Sequence, residues 1–240
     1  MKIEIWSDVA CPFCYLGERH LELALESFEH RDDVEIVPRA FELDPTAAPH
    51  EHRRMVDALA AKFGTTPAQV RAMQRGIADK AHAVGLEFDT TNASVTNTFD
   101  AHRLVHLARE SGLDRQMLAA LMRGYFAHSL KAGDVDELVA VATEVGLDED
   151  RVREVLAGDE FADAVRADES KAQSIGVSGV PFFLIDGKYA VSGAQPVETF
   201  RSALDDVWAK EHPIQVVGGE AADGAVCTDD SCALPEPSNP

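Results

Sequence analysis

The sequence predicts an α/β fold in which a strand–helix–strand start and a helix–hairpin–helix end enclose an all-helical insertion. Three observations carry that prediction. Strand-like runs are confined to the two ends, helical spacing without strands runs from His50 to about Ile175, and Asp186-Gly187 places a hairpin turn between two apolar runs. Residues 2–7 alternate around Ile3, Ile5 and Trp6 and read as a first strand. Leu21, Ala24, Leu25 and Phe28 then recur at helical spacing in a run from Pro12 to about His30. A second strand follows from Val34 to about Phe41, closed by the stretch Asp44-Pro45-Thr46-Ala47-Ala48-Pro49.

Inside the insertion the helix ends are readable. Thr66-Pro67-Ala68-Gln69 is a capping box with proline at the first helical position, followed by Val70, Met73, Ile77, Ala81 and Val84 on one face and Gly85 as the stop. Asn97 is placed to cap a helix with Ala101, Leu104, Val105 and Ala108 inward and Gly112 at its end. Asp134 with Glu137 caps another, ended near Gly146. Met55, Met73, Met117 and Met122 fall in helical segments and read as core or groove lining. A helix from near Asp159 leads back to strand character at Pro181–Val191, and a last helix after Pro196 buries Val197, Phe200, Leu204, Val207 and Trp208. The expected division is a discontinuous domain of residues 1–45 and 158–210, a helical insertion of residues 46–157, and a tail of residues 211–240. The tail is rich in Gly, Pro, Asp and Glu and reads as mobile or draped over the body. This is the thioredoxin order of elements with a helical domain inserted.

The 240 residues are 45% apolar, enough for a real core, and carry a formal charge of -20 from 42 acids against 22 bases. That charge argues against nucleic acid or anionic membrane as partners, because both are polyanions. No run approaches the roughly 20 apolar residues of a membrane helix. Glu4 and Asp8 interrupt the place where a signal peptide would sit, so the expected location is cytoplasmic. Four cysteines form two close pairs, Cys11/Cys14 and Cys227/Cys232. In a reducing compartment such pairs are more often catalytic or metal-binding than structural.

Cys11-Pro12-Phe13-Cys14 falls at a strand-to-helix junction. Disulfide exchange needs a thiolate to attack a sulfur and a second thiol near enough to resolve the mixed disulfide. A helix N-terminus lowers the pKa of the first sulfur, and two intervening residues put the second one turn inside. Cys11 is therefore assigned as nucleophile and Cys14 as resolving thiol. The competing reading, half of a zinc site, needs a second ligand pair close by, and the other cysteines lie in a distant tail. No metal or cofactor is expected.

Four segments together resemble the FrnE-like branch of the DsbA family: Ser7–Gly17 around the two cysteines, Asn97-Thr98 with Ala101–Leu104, Gly176–Phe183, and Val191–Pro196. The resemblance covers about residues 1–210 and implies a thioredoxin fold with an inserted helical domain. That branch is related to 2-hydroxychromene-2-carboxylate isomerases and kappa-class glutathione transferases, which use serine where this chain has Cys11. The resemblance makes Pro181 the proline before the third strand, its peptide bond with Val180 in the cis form and facing the dithiol. Pro12, Phe13, Val180 and Pro181 are then the expected substrate-binding residues. It also makes Cys227-Thr228-Asp229-Asp230-Ser231-Cys232 an accessory dithiol that exchanges with the first pair; an inert local disulfide is the alternative. Where DsbA has histidine before the second cysteine, this chain has Phe13, which can neither donate a hydrogen bond nor carry charge. The expectation is a Cys11 pKa above DsbA's, closer to thioredoxin's, and a reduction potential below DsbA's roughly -120 mV.

The expected function is oxidation, reduction or isomerisation of protein disulfides, with protein thiols and disulfides as partners and glutathione left open. The alternative is a glutathione-dependent isomerase or transferase for an aromatic small molecule, its pocket built from Phe13, Asn97 and the insertion. His102 and His106 share a helix face but bring no acidic motif, so they read as packed helix residues rather than metal ligands. Asp8, three residues before Cys11, reads either as a buried proton relay to Cys14 or as a surface turn residue.

Overall fold

The computed structural model describes residues 1–48 and 53–213, together with the backbone of 226–228 and 231–233. Strand β1 (Lys2–Ser7) pairs in parallel with β2 (Glu35–Ala40) and antiparallel with β3 (Phe182–Ile185), which pairs with β4 (Tyr189–Ser192), giving the order β2-β1-β3-β4. The period-2 pattern sorts side chains to the two faces. Ile3, Ile5, Phe183 and Ile185 pack against α1 (Pro12–Glu26) and α9 (Val197–Glu211), while Trp6 packs with Ala172 of α8 (Ala162–Ser174), Phe182 and Leu184 on the other face. Asp186 and Gly187 both take positive φ, as their turn signal requires. Pairing resumes with Ile185 opposite Tyr189, so Lys188 is an extra residue in that turn.

Between β2 and β3 the regular elements among the described residues are helices, joined by loops: α2 (Met55–Phe63), α3 (Pro67–Ala83), α4 (Phe99–Arg109), α5 (Asp114–Ala127), α6 (Val135–Val145), α7 (Glu149–Ala157) and α8. The capping box of Thr66 with Gln69 forms, and the Asp134 side chain accepts from the backbone N–H groups of Asp136 and Glu137. The cap expected at Asn97 moves by one: Thr98 is the N-cap, and Asn97 Oδ1 accepts from the Phe99 N–H at 2.8 Å. Met55, Met117 and Met122 are buried, whereas Met73 is 55% exposed although Val70 and Ala81 of the same helix are buried. In the tail, a short hairpin of β5 (Val226–Thr228) and β6 (Ser231–Ala233) pairs Cys227 with Cys232 across the strands. The expected mobility of the rest of the tail falls outside the described residues.

Charged side chains gather around the buried carboxylates of Glu4 and Asp168 where sheet and helices meet. Arg39 of β2 donates to Glu4 at 2.9 Å and to Asp168 at 2.8 Å, Lys171 reaches Glu4 at 2.8 Å, and Asp168 Oδ2 accepts from the Ala40 N–H. Arg109 donates to Nδ1 of His106, so the proton sits on Nε2, which faces Asp168 at 3.1 Å. One network thus ties β1, β2, α4 and α8.

Candidate active site

Antiparallel pairing brings the start of β3 beside the end of β1, with Trp6 opposite Phe182. Pro181 therefore arrives next to the loop Asp8-Val9-Ala10-Cys11 that leaves β1. The Val180–Pro181 peptide bond is cis, and the Cys11 thiol points at the Val180 carbonyl from 3.7 Å. Gly17, one turn into α1, permits this approach: a Cβ there would lie 2.9 Å from Pro181 Cγ and 3.3 Å from Phe183 Cζ. His20 Nδ1 donates to the Gln195 carbonyl at 2.7 Å, and the Gly193 N–H donates to the Pro181 carbonyl at 2.8 Å. Together they hold the proline loop against α1.

Cys11 is the N-cap of α1 with extended φ and ψ, and Pro12 occupies the first turn, where a missing N–H leaves no helical bond unmade. Both cysteines are free thiols; Cys11 is 4% exposed and Cys14 0%. Phe13 between them is 46% exposed and offers an apolar surface at the mouth of the site. A hydrogen bond from the Cys14 thiol, aided by backbone N–H groups of Cys14 and Phe13, holds Cys11 below the ordinary thiol pKa, against burial and the Asp8 charge. Burial pushes Cys14 well above it, and the neighbouring Cys11 sulfur and Glu18 push the same way. The two sulfurs thus differ in the sense that separates an attacking thiol from a resolving one.

Asp8 is buried. Its carboxylate accepts from the backbone N–H groups of Ala10 at 3.2 Å and Leu43 at 2.7 Å, and lies 3.5 Å from Nε2 of the equally buried His102. That nitrogen has no hydrogen-bond partner among the described residues. His102 and His106 do not converge, since each turns to a different aspartate, and no cluster suited to a metal occurs among the described residues. Asn97 is engaged structurally, donating to the Ala47 carbonyl at 3.1 Å and to Glu42 at 3.4 Å.

Glu18 is the residue that sequence reasoning passed over. Burial pushes its carboxyl up to about 7, against a hydrogen bond from Ser7 Oγ at 2.7 Å. The signal was present, because Glu18 lies four residues after Cys14 on a helix face otherwise apolar at Leu21 and Leu25.

Among the described residues no helix is long and apolar enough to cross a membrane. A probable DsbA oxidoreductase, SCO1869, from Streptomyces coelicolor is 43% identical and superposes with a TM-score of 0.85, over 98% of this chain and 99% of its own. Two more distant structures share the fold. A 2-hydroxychromene-2-carboxylate isomerase is 12% identical with a TM-score of 0.64, over 88% of this chain and 98% of its own. The cytosolic disulfide reductase DsbM from Pseudomonas aeruginosa, also solved with GSH, is 18% identical with a TM-score of 0.60, over 88% of this chain and 100% of its own. The family model described as a DSBA-like thioredoxin domain matches residues 2–205, nearly the whole described body, and the chain belongs to that family.

Proposed function

We propose that this chain is a thiol–disulfide oxidoreductase and isomerase acting on protein disulfides through Cys11 and Cys14. Family membership supports thiol–disulfide chemistry in general. The observation that carries the finer reading is the pair of oppositely perturbed thiols beneath the Val180 carbonyl and Pro181.

In the reducing direction the Cys11 thiolate attacks one sulfur of a client disulfide. A Cys11–client bond forms, and the client's other sulfur leaves as a thiolate. Cys14 then loses its proton and attacks Cys11 Sγ, closing the Cys11–Cys14 disulfide and releasing the client's second thiol. The client gains two electrons and the dithiol loses two. Oxidation is the reverse sequence, and isomerisation releases Cys11 by attack of another client thiol. Pro12, Phe13, Val180 and Pro181 receive the client chain, with Phe13 as the apolar contact. Cys227 and Cys232, cross-strand partners in β5–β6, serve as the accessory dithiol that exchanges with the first pair.

Insulin reduction and refolding of scrambled ribonuclease test this reading with wild type, Cys11→Ser, Cys14→Ser and the Cys227→Ser/Cys232→Ser double variant. Cys11→Ser abolishes both activities, Cys14→Ser accumulates mixed disulfides, and the tail variant slows isomerisation. Full activity in Cys11→Ser overturns the main assignment, and unchanged rates in the tail variant overturn the accessory one. The glutathione equilibrium of the dithiol lies on the reducing side of DsbA's roughly -120 mV, since the Phe13 side chain adds neither a hydrogen bond nor a charge to the thiolate beyond its backbone N–H. A potential as high as DsbA's contradicts that.

A further inference from the structure

Arginine is almost fully occupied in this protein. Arg19, Arg31, Arg39, Arg54, Arg103, Arg109, Arg115, Arg123, Arg151, Arg153, Arg166 and Arg201 each lie within ion-pair distance of an acid, and Arg53 is engaged as well. Arg71 and Arg75 are the exceptions, with no ion pair or side-chain hydrogen bond among the described residues. Acids outnumber bases 42 to 22 along the chain, so leaving two arginines without an acid is the arrangement that needs a reason. They are four residues apart on α3, which sets their Cβ atoms roughly 5–6 Å apart on one face.

Both line a cleft of about 720 Å³ between α2, α3 and the loop that follows α3. That volume is in the range of small-molecule sites, roughly 300–1,000 Å³. Arg54 also lines it, already held by Asp57 at 2.7 Å. Thr90, Thr91 and Asn92 add uncharged polar groups, while Val56, Ala78 and the buried Phe88 supply apolar lining. The acid in the lining, Asp89, accepts from the Thr91 N–H at 2.9 Å, and hydrogen bonds from Thr91 hold its carboxyl below the usual range. Its carboxylate is turned to its own loop and pairs with neither Arg71 nor Arg75.

We propose that this cleft binds a small organic anion bearing carboxylate or phosphate groups, gripped by Arg71 and Arg75. A guanidinium presents parallel N–H donors that match the two oxygens of either group, and two guanidiniums a turn apart suit a ligand with two acidic groups or one doubly charged phosphate. The apolar lining gives the ligand's body a surface to rest on. Cys11, Cys14, Val180 and Pro181 do not line this cleft, so the site is separate from the dithiol.

The test is calorimetric titration of the full chain at constant ionic strength with citrate, phenyl phosphate and inorganic phosphate, sodium chloride serving as the control anion. Saturable binding of citrate or phenyl phosphate is expected, with affinity falling ~10-fold or more in Arg71→Gln/Arg75→Gln. Binding to Arg201→Gln, which removes a single charge from an exposed pair elsewhere, stays unchanged. A preference for citrate identifies a carboxylate ligand, and a preference for phenyl phosphate a phosphate ester. Absence of saturable binding of every probe overturns the site, as does an equal loss in Arg201→Gln or none in the double variant.

Discussion

Cys11 and Cys14 stand three residues apart in one helical turn, yet their protons are held with opposite strength. The Asp8 charge works against the Cys11 thiolate. Asp8→Asn keeps a side-chain oxygen for the Leu43 N–H and removes that charge, so the Cys11 pKa falls and the dithiol becomes more oxidising. Thiolate ultraviolet absorbance against pH and the glutathione equilibrium measure both. Glu18 carries the second titration. Its folded pKa of about 7 exceeds the ordinary 4.5, so the unfolded chain ionises first. Stability therefore falls as pH rises from about 4.5 to about 7 and is level above that. Urea midpoints across this window show a smaller loss in Glu18→Gln than in wild type; parallel curves contradict the assignment. The placement of both cysteines at the start of α1 was legible because their spacing is local. The Asp8–His102 approach was not, because it joins residues 94 positions apart whose meeting only the folded chain defines.

Among the elements, helix starts were read best where the cap is local, as at Thr66 and Asp134, since the hydrogen bonds lie within three residues. No start was expected for α2, α5 or α7, although Asp148 caps α7 through the Arg151 N–H at 2.9 Å and offered a local signal. Met73 shows the limit of periodicity, which identifies a face but not whether another element covers it. The resemblance put Pro181 opposite the dithiol, but the part Gly17 plays in letting α1 approach the proline loop was not visible, though the residue stood in the sequence. Gly17→Ala forces Pro181 Cγ or the helix to move, and overpacking of this kind costs roughly 1–3 kcal/mol. Denaturant unfolding should show that loss together with a slower insulin assay. An unchanged midpoint means that the loop yields freely.

At the scale of the molecule, the sequence predicted the order of strands and helices but not what clamps them. Glu4, Arg39, Asp168 and Lys171 come from distant segments, and nothing in their local context marks them as partners around the buried Glu4 and Asp168. Burial would push Asp168 up, yet the His106 hydrogen bond, the Ala40 N–H and the Arg39 charge outweigh it and leave the carboxyl below its ordinary 3.8. Its contribution is thus present above about pH 3.8 and lost as pH falls through the lowered value. Removing one partner of a buried pair costs roughly 3–5 kcal/mol. Asp168→Ala belongs at the low end because Arg39 keeps Glu4. A midpoint shift within the scatter of surface variants would refute the clamp. The dithiol has its own tie to the whole. Val9, Cys11, Cys14 and Leu16 pack in the same apolar cluster as Leu104, Leu121 and Phe126 of the central helices. A protein engineer seeking a minimal catalyst by splicing those helices out would find no seam to cut, because the back wall of the reactive pair would leave with them.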